Sequence, residues 1–103
     1  MPLTQEQKKQ FKSIGHHLKP VLIVADGGLT EGVLAELERA LADHELIKVQ
    51  LRITERDARL AAISQLCKAG NADLVQVIGK MALIHRKNPK VNKNLSNVHR
   101  QHG

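Results

Sequence analysis

Residues 20–37 read PVLIVADGGLTEGVLAEL, and this stretch decides the fold. Val21 to Ala25 is an unbroken apolar run rich in β-branched residues, the composition of a strand buried on both faces. Asp26-Gly27-Gly28 is a turn. From about residue 30 to 43 the period changes, and Val33, Leu34, Leu37, Ala40 and Leu41 share one side of a helix. Strand, glycine turn and helix in that order form the opening half of a β-α-β unit.

The flanks extend the pattern in both directions. Upstream, residues 4–17 predict a helix that Thr4 can cap, with Phe11, Ile14 and Leu18 on one stripe. Lys8, Lys12 and Lys19 share another face if the helix runs that far, and the bland explanation for them is a solvated surface. Downstream, Glu45 to Ile53 alternates Ile47, Val49, Leu51 and Ile53 with Lys48, Gln50 and Arg52, as a half-buried strand does. Thr54-Glu55-Arg56-Asp57 resembles a capping box with Asp in place of Glu. It opens a helix to about Ala69, with Ile63, Leu66 and Cys67 inward and Gly70 as its stop. Leu74–Ile78 reads as a strand, Gly79-Lys80 as a type II′ turn and Met81–Arg86 as a closing strand. The order α-β-α-β-α-β-β predicts an α/β domain: a mixed four-stranded sheet with three helices, right-handed parallel crossovers and an antiparallel final strand.

With 103 residues, one domain is expected. Phe11 is the single aromatic side chain, which excludes modules that read single strands by stacking bases on several aromatic rings. The net charge is +6, and its distribution is uneven. Residues 1–79 carry ten basic and ten acidic side chains, whereas Lys80, Arg86, Lys87, Lys90, Lys93 and Arg100 follow with no acid among them. A block of one sign after a balanced domain predicts an arm for a polyanion. Residues 87–103, KNPKVNKNLSNVHRQHG, hold little to bury and predict a basic, disordered tail. MPLTQEQKKQ has no signal-peptide character, Val21–Ala25 is far too short to span a bilayer, and a cytoplasmic protein is expected.

Catalytic chemistry finds no foothold. There is no Ser-His-Asp pattern, phosphate-binding Walker loop or paired-carboxylate motif, so neither an enzyme nor a small-molecule substrate is expected. Cys67 is the single cysteine and reads as a buried, inert thiol. His16-His17 sit where cations suit a helix C-terminus. His99 and His102 have metal-sharing spacing but no carboxylate or thiol partner, so no metal or other cofactor is expected. What remains is anion binding. Gly27 and Gly28 let backbone approach another chain closely, and Thr30 can cap the next helix or donate to a phosphate. Asp26 and Glu31 oppose simple anion binding there, so nearby cations must outweigh them.

Three blocks then gain meaning together: Leu18–Val21 running into Gly28–Leu37, His44–Val49, and Val75–Lys80. In order and spacing they closely resemble the bacterial YhbY family, stand-alone CRM domains, over roughly residues 3–86. The resemblance implies a fold similar to the C-terminal domain of translation initiation factor three. It also implies RNA binding and association with precursors of the large ribosomal subunit. The family's G-x-x-G loop falls on Ala25-Asp26-Gly27-Gly28, where Ala25 replaces the first glycine, Asp26 adds an acid and Gly27 supplies an extra glycine, expected to take the positive φ. The family also carries basic residues at Lys80 and Arg86. The expected RNA-binding set is therefore Lys12, Lys19, Gly27, Gly28, Thr30, Lys48, Arg52, Lys80 and Arg86, with Lys80 and Arg86 beside the glycine loop. Arg39, Arg56, Arg59 and Lys68 read as solubilising charges on helix exteriors.

The leading reading is a monomeric RNA-binding assembly factor for the large subunit, contacting ribosomal RNA mainly at phosphate and ribose. A general RNA chaperone or translation-associated factor is the second reading. A protein-interaction module with a merely solubilising tail is the third.

Overall fold

The computed structural model describes residues 3–88, 90 and 96–98 of the chain. Its elements follow the expected order: α1 (Gln5–Gly15), β1 (Pro20–Ala25), α2 (Glu31–His44), β2 (Leu46–Arg52), α3 (Arg56–Gly70), β3 (Asp73–Ile78) and β4 (Met81–His85). The four strands form one mixed sheet in the order β1-β2-β4-β3. β1 lies parallel to β2, as the α2 crossover requires, and β4 runs antiparallel to both of its neighbours. The closing hairpin thus inserts its second strand into the sheet centre and leaves β3 at one edge.

Alternation along β2 sends its side chains to opposite faces. Ile47, Val49 and Leu51 join Leu37 and Leu41 of α2 and Ile63 and Leu66 of α3 in the larger core. Leu46 faces the other way and meets Phe11 of α1, Val75 and Leu83 in a smaller one. Fully burying each of these leucines contributes roughly 1.5–3 kcal/mol. α1 lies close because its last residue, Gly15, has no side chain: a Cβ there would run into both methyls of Leu83.

α1 ends at Gly15, so Lys19 lies beyond it and precedes β1. Leu22 and Val24 are buried, but Val21 and Ile23 remain 45% and 44% exposed. The strand is therefore an edge strand covered on one face, not a strand buried on both.

Helix ends also follow local chemistry. Thr4 accepts from the Gln7 backbone N–H at 3.1 Å while Gln7 Oε1 accepts from the Thr4 N–H, a complete capping box. The expected capping box of α3 does not form. Glu55 is its N-cap without a side-chain bond, and Arg59 instead donates to the carbonyls of Ile53 and Thr54, both at 3.0 Å. Arg59 is thus half-buried and bonded, not a loose surface charge. The α3 stop is Asn71, which adopts the left-handed conformation at φ 51°, and not Gly70. Gly70 lies under α2, where a Cβ would come within 2.8 Å of Leu41 Cδ1. At the β3–β4 turn Gly79 has φ 54° and Ile78 pairs with Met81, as the two-residue turn requires.

Part of the C-terminal stretch is docked. Ser96 and Asn97 are buried, and Val98 packs against the smaller core. The Ser96 hydroxyl donates to the Glu45 carboxylate at 2.8 Å, and the Asn97 side chain donates to the Leu46 carbonyl at 2.7 Å. Asn88 donates to Glu45 and to the Ala42 carbonyl at 3.0 and 2.8 Å. At these residues the tail is not free: the Glu45 carboxylate and the Ala42 and Leu46 carbonyls at the α2–β2 junction accept their hydrogen bonds. Lys93, His99, Arg100 and His102 lie outside the described residues.

Candidate nucleic-acid interface

Parallel pairing places Ala25 at the end of β1 beside Arg52 at the end of β2. The Leu51 N–H donates to the Lys80 carbonyl at 2.7 Å, which brings the β3–β4 turn to the same end. The glycine loop, Arg52 and Lys80 therefore share one edge of the sheet. Asp26, Gly27, Thr30, Arg52 and Lys80 are all exposed there.

The loop itself is a turn closed by the Gly28 N–H donating to the Ala25 carbonyl at 2.9 Å. Gly28, not Gly27, takes the positive φ, at 78°. Its place after the two central turn residues is a common one for glycine. Gly27 has neither that backbone demand nor a packing demand, since a Cβ on it would meet nothing within 4 Å. Thr30 caps α2 by accepting from the Val33 N–H at 3.2 Å.

A second group of expected residues lies along the α1 side of the sheet. Lys48 and Arg52 are on the same face of β2, four residues and roughly 13 Å apart. Lys12 and Lys48 line a cleft of about 410 Å³ between the end of α1 and the sheet. Lys19 is exposed just before Pro20, whose register partner is Lys48. Among the described residues none of Lys12, Lys19, Lys48, Arg52 and Lys80 makes an ion pair.

Arg86 does not join them. It follows β4 at the opposite end from Lys80, roughly 20 Å away along the strand. Its guanidinium grips the Glu38 carboxylate with two bonds of 2.7 and 3.0 Å and also donates to the Gly70 carbonyl at 3.1 Å. This bond to Arg86 holds the Glu38 carboxyl below its ordinary range. Arg86 ties β4 to α2 and α3, so its expected place beside the glycine loop is corrected. The cause is topological, because β4 runs away from that loop.

The cleft also gathers residues to which sequence reading gave no binding role. Ser13, His16, His17 and Gln76 line it, and the two imidazoles lie edge to face with ring centres 5.7 Å apart. The His16-His17 pair directly after Gly15 was the available signal, but the short helix that exposes it was not legible. Cys67 is half-buried in a different groove, and burial chiefly, with Asp73 second, pushes its thiol above the ordinary value. Among the described residues no group of His, Cys, Asp or Glu could hold a metal ion, and no helix is long and apolar enough to cross a membrane.

Comparisons with known proteins bear on this arrangement. A probable RNA-binding protein of Pseudomonas aeruginosa is 75% identical over 100 residues, covering 97% of this chain and 96% of that protein. An RNA-binding protein of Haemophilus influenzae is 42% identical over 84 residues, covering 82% of this chain and 85% of its own. The solution structure of a hypothetical protein from Staphylococcus aureus superimposes with a TM-score of 0.75 at 32% identity, covering 85% of this chain and 92% of that one. The CRS1/YhbY (CRM) domain model matches residues 3–86. The match spans α1 through Arg86 and so includes every expected site residue: the chain belongs to the CRS1/YhbY (CRM) domain family.

Proposed function

We propose that this protein binds structured RNA through phosphate and ribose contacts, along the sheet edge formed by the glycine loop, Arg52 and Lys80. We further propose that its partner is large-subunit ribosomal RNA or its precursor, and that it assists assembly of that subunit. Relatives named for RNA binding support the first part. The single observation that carries the surface is Gly27. Its backbone angle does not require glycine and nothing touches the position. A glycine that neither conformation nor packing demands is suited to close approach by another molecule. Arg52 and Lys80, with no acidic partner among the described residues, supply positive charge along the edge next to the loop.

Phosphate contacts release counterions, so affinity falls with salt in proportion to their number. Lys80→Ala and Arg52→Ala should each weaken binding to ribosomal RNA and reduce the logarithmic salt slope by roughly 0.7–0.9, read by filter binding from low to moderate salt. An unchanged slope in both variants would remove this edge from the interface. Gradient sedimentation tests the assembly role: the protein should peak with precursor large subunits, and its loss should make them accumulate.

A further inference from the structure

We infer that the cleft between α1 and the sheet receives one unpaired nucleotide of the bound RNA, a single-nucleotide pocket beside the phosphate-binding edge. The inference rests on the RNA-binding reading and adds to it a distinct site with a distinct chemistry. The cleft's volume, about 410 Å³, falls low in the range of roughly 300–1,000 Å³ that holds small ligands.

Its lining separates into three kinds of surface. The sheet provides an apolar floor at Ile78, Met81 and Leu83, and Ile78 is 60% exposed. Ser13 and Gln76 stand on facing elements and can both donate and accept hydrogen bonds, as the edge of a base requires. Lys12 and Lys48 add positive charge, and the lining contains no carboxylate. A ligand complementary to all three is anionic at one end and flat, apolar-faced and polar-edged at the other. A nucleotide has that form.

The imidazoles of His16 and His17 fit the same occupant. Bases splayed out of RNA stack on His as well as on larger aromatic rings, which answers the chain's poverty in Phe, Tyr and Trp. Placement favours a nucleotide within a chain over a free one. Lys48 in the cleft and Arg52 at the phosphate-binding edge lie on one face of β2, so a continuous backbone can run from one to the other. An extruded base is accessible when it is bulged or looped and inaccessible inside a duplex.

The test uses the full chain and two RNA hairpins equal in length and charge, one fully paired and one with a single bulged nucleotide, measured by fluorescence anisotropy at one salt concentration. The protein should bind the bulged hairpin about tenfold more tightly. Ser13→Leu, on the exposed side of α1, fills the cleft and should abolish that preference while leaving affinity for the paired hairpin unchanged. Gln76→Ala, which adds no bulk, should reduce the preference by a smaller factor. Equal affinity of the unaltered protein for the two hairpins, or a preference that survives Ser13→Leu, would overturn the pocket and leave the phosphate-binding edge intact. Failure to bind either hairpin would overturn both readings. Uridine monophosphate should bind far more weakly than the bulged hairpin. Affinity for it equal to the hairpin's would also overturn the inference, because the cleft would then serve a free nucleotide.

Discussion

Where β2 begins, Glu45, Asn88, Ser96 and Asn97 are joined by hydrogen bonds, and Arg86 is closed onto Glu38 and the end of α3. Where β2 finishes, Arg52, Lys80 and the glycine loop are exposed, and the two cations have no ion pair among the described residues. The two ends thus spend similar chemistry differently. At the first end, polar groups satisfy one another and hold the C-terminal stretch against the sheet. At the second, they face solvent without such closure. A basic side chain therefore cannot be assigned to an RNA surface from its type alone. Its neighbours decide, and Arg86 and Lys80, only six residues apart, fall on opposite sides of the distinction.

The largest test of this contrast is at Glu45. The residue is 2% exposed and sits at φ 60°, a strained angle for a side chain of its size. Glu45→Ala removes the acceptor for Ser96 and Asn88, leaving one buried and one half-buried donor unpaired, and should cost about 2–4 kcal/mol in urea unfolding. RNA affinity of the folded protein and its salt slope should stay unchanged. A loss of RNA affinity without a loss of stability would break the division between the two ends.

Arg86→Ala sharpens the same division at smaller scale. The Glu38 carboxylate is largely exposed, so the ion pair itself stabilises little. The bond to the Gly70 carbonyl adds to it, and the total should be about 1 kcal/mol. The sign with pH follows from Glu38, whose carboxyl is held low by Arg86. The pair's contribution is present above the unfolded value near 4.5 and is lost as pH falls through the lowered folded value. Paired measurements of urea midpoint and RNA salt slope check both halves. A flatter salt slope in Arg86→Ala would return this residue to the interface.

How legible each end was in the sequence follows from where its partners lie. The glycine turn, the alternation of β2 and the Gly79-Lys80 hairpin are local patterns, so the open end and its order of elements could be read directly. The closed end depends on pairs far apart in the chain: Glu38 with Arg86 is separated by 48 residues and Glu45 with Ser96 by 51. No periodicity marks such pairs, and a strand-edge glutamate reads as exposed until the chain returns to cover it. The exposure of Val21 and Ile23 was hidden for a related reason. It depends on which face of β1 the helices cover, and α1 packs mainly against β2 and β3, which is a tertiary fact.

The smallest effect concerns acid. His85 lies in the smaller core near the closed end, 7% exposed, with its ring stacked on Phe11 at 4.4 Å between centres. Its Nδ1 has no hydrogen-bond partner among the described residues. Burial lowers its affinity for a proton below the ordinary value near 6.5, and the carboxylates of Glu45 and Asp73 oppose this only in part. The folded chain therefore holds fewer protons here than the unfolded chain does. Stability from this residue is complete above pH 6.5 and declines as pH falls from there through the lowered folded value. His85→Phe keeps a stacked ring and removes the titration, so its urea midpoint should change less than that of the unaltered protein between pH 7.5 and 5.5. Equal slopes would show that the closed end does not sense acid through this ring. The salt slope of RNA binding at pH 7.5 should be the same in both proteins, because His85 lies under α1 and away from the edge that Lys80 and Arg52 occupy.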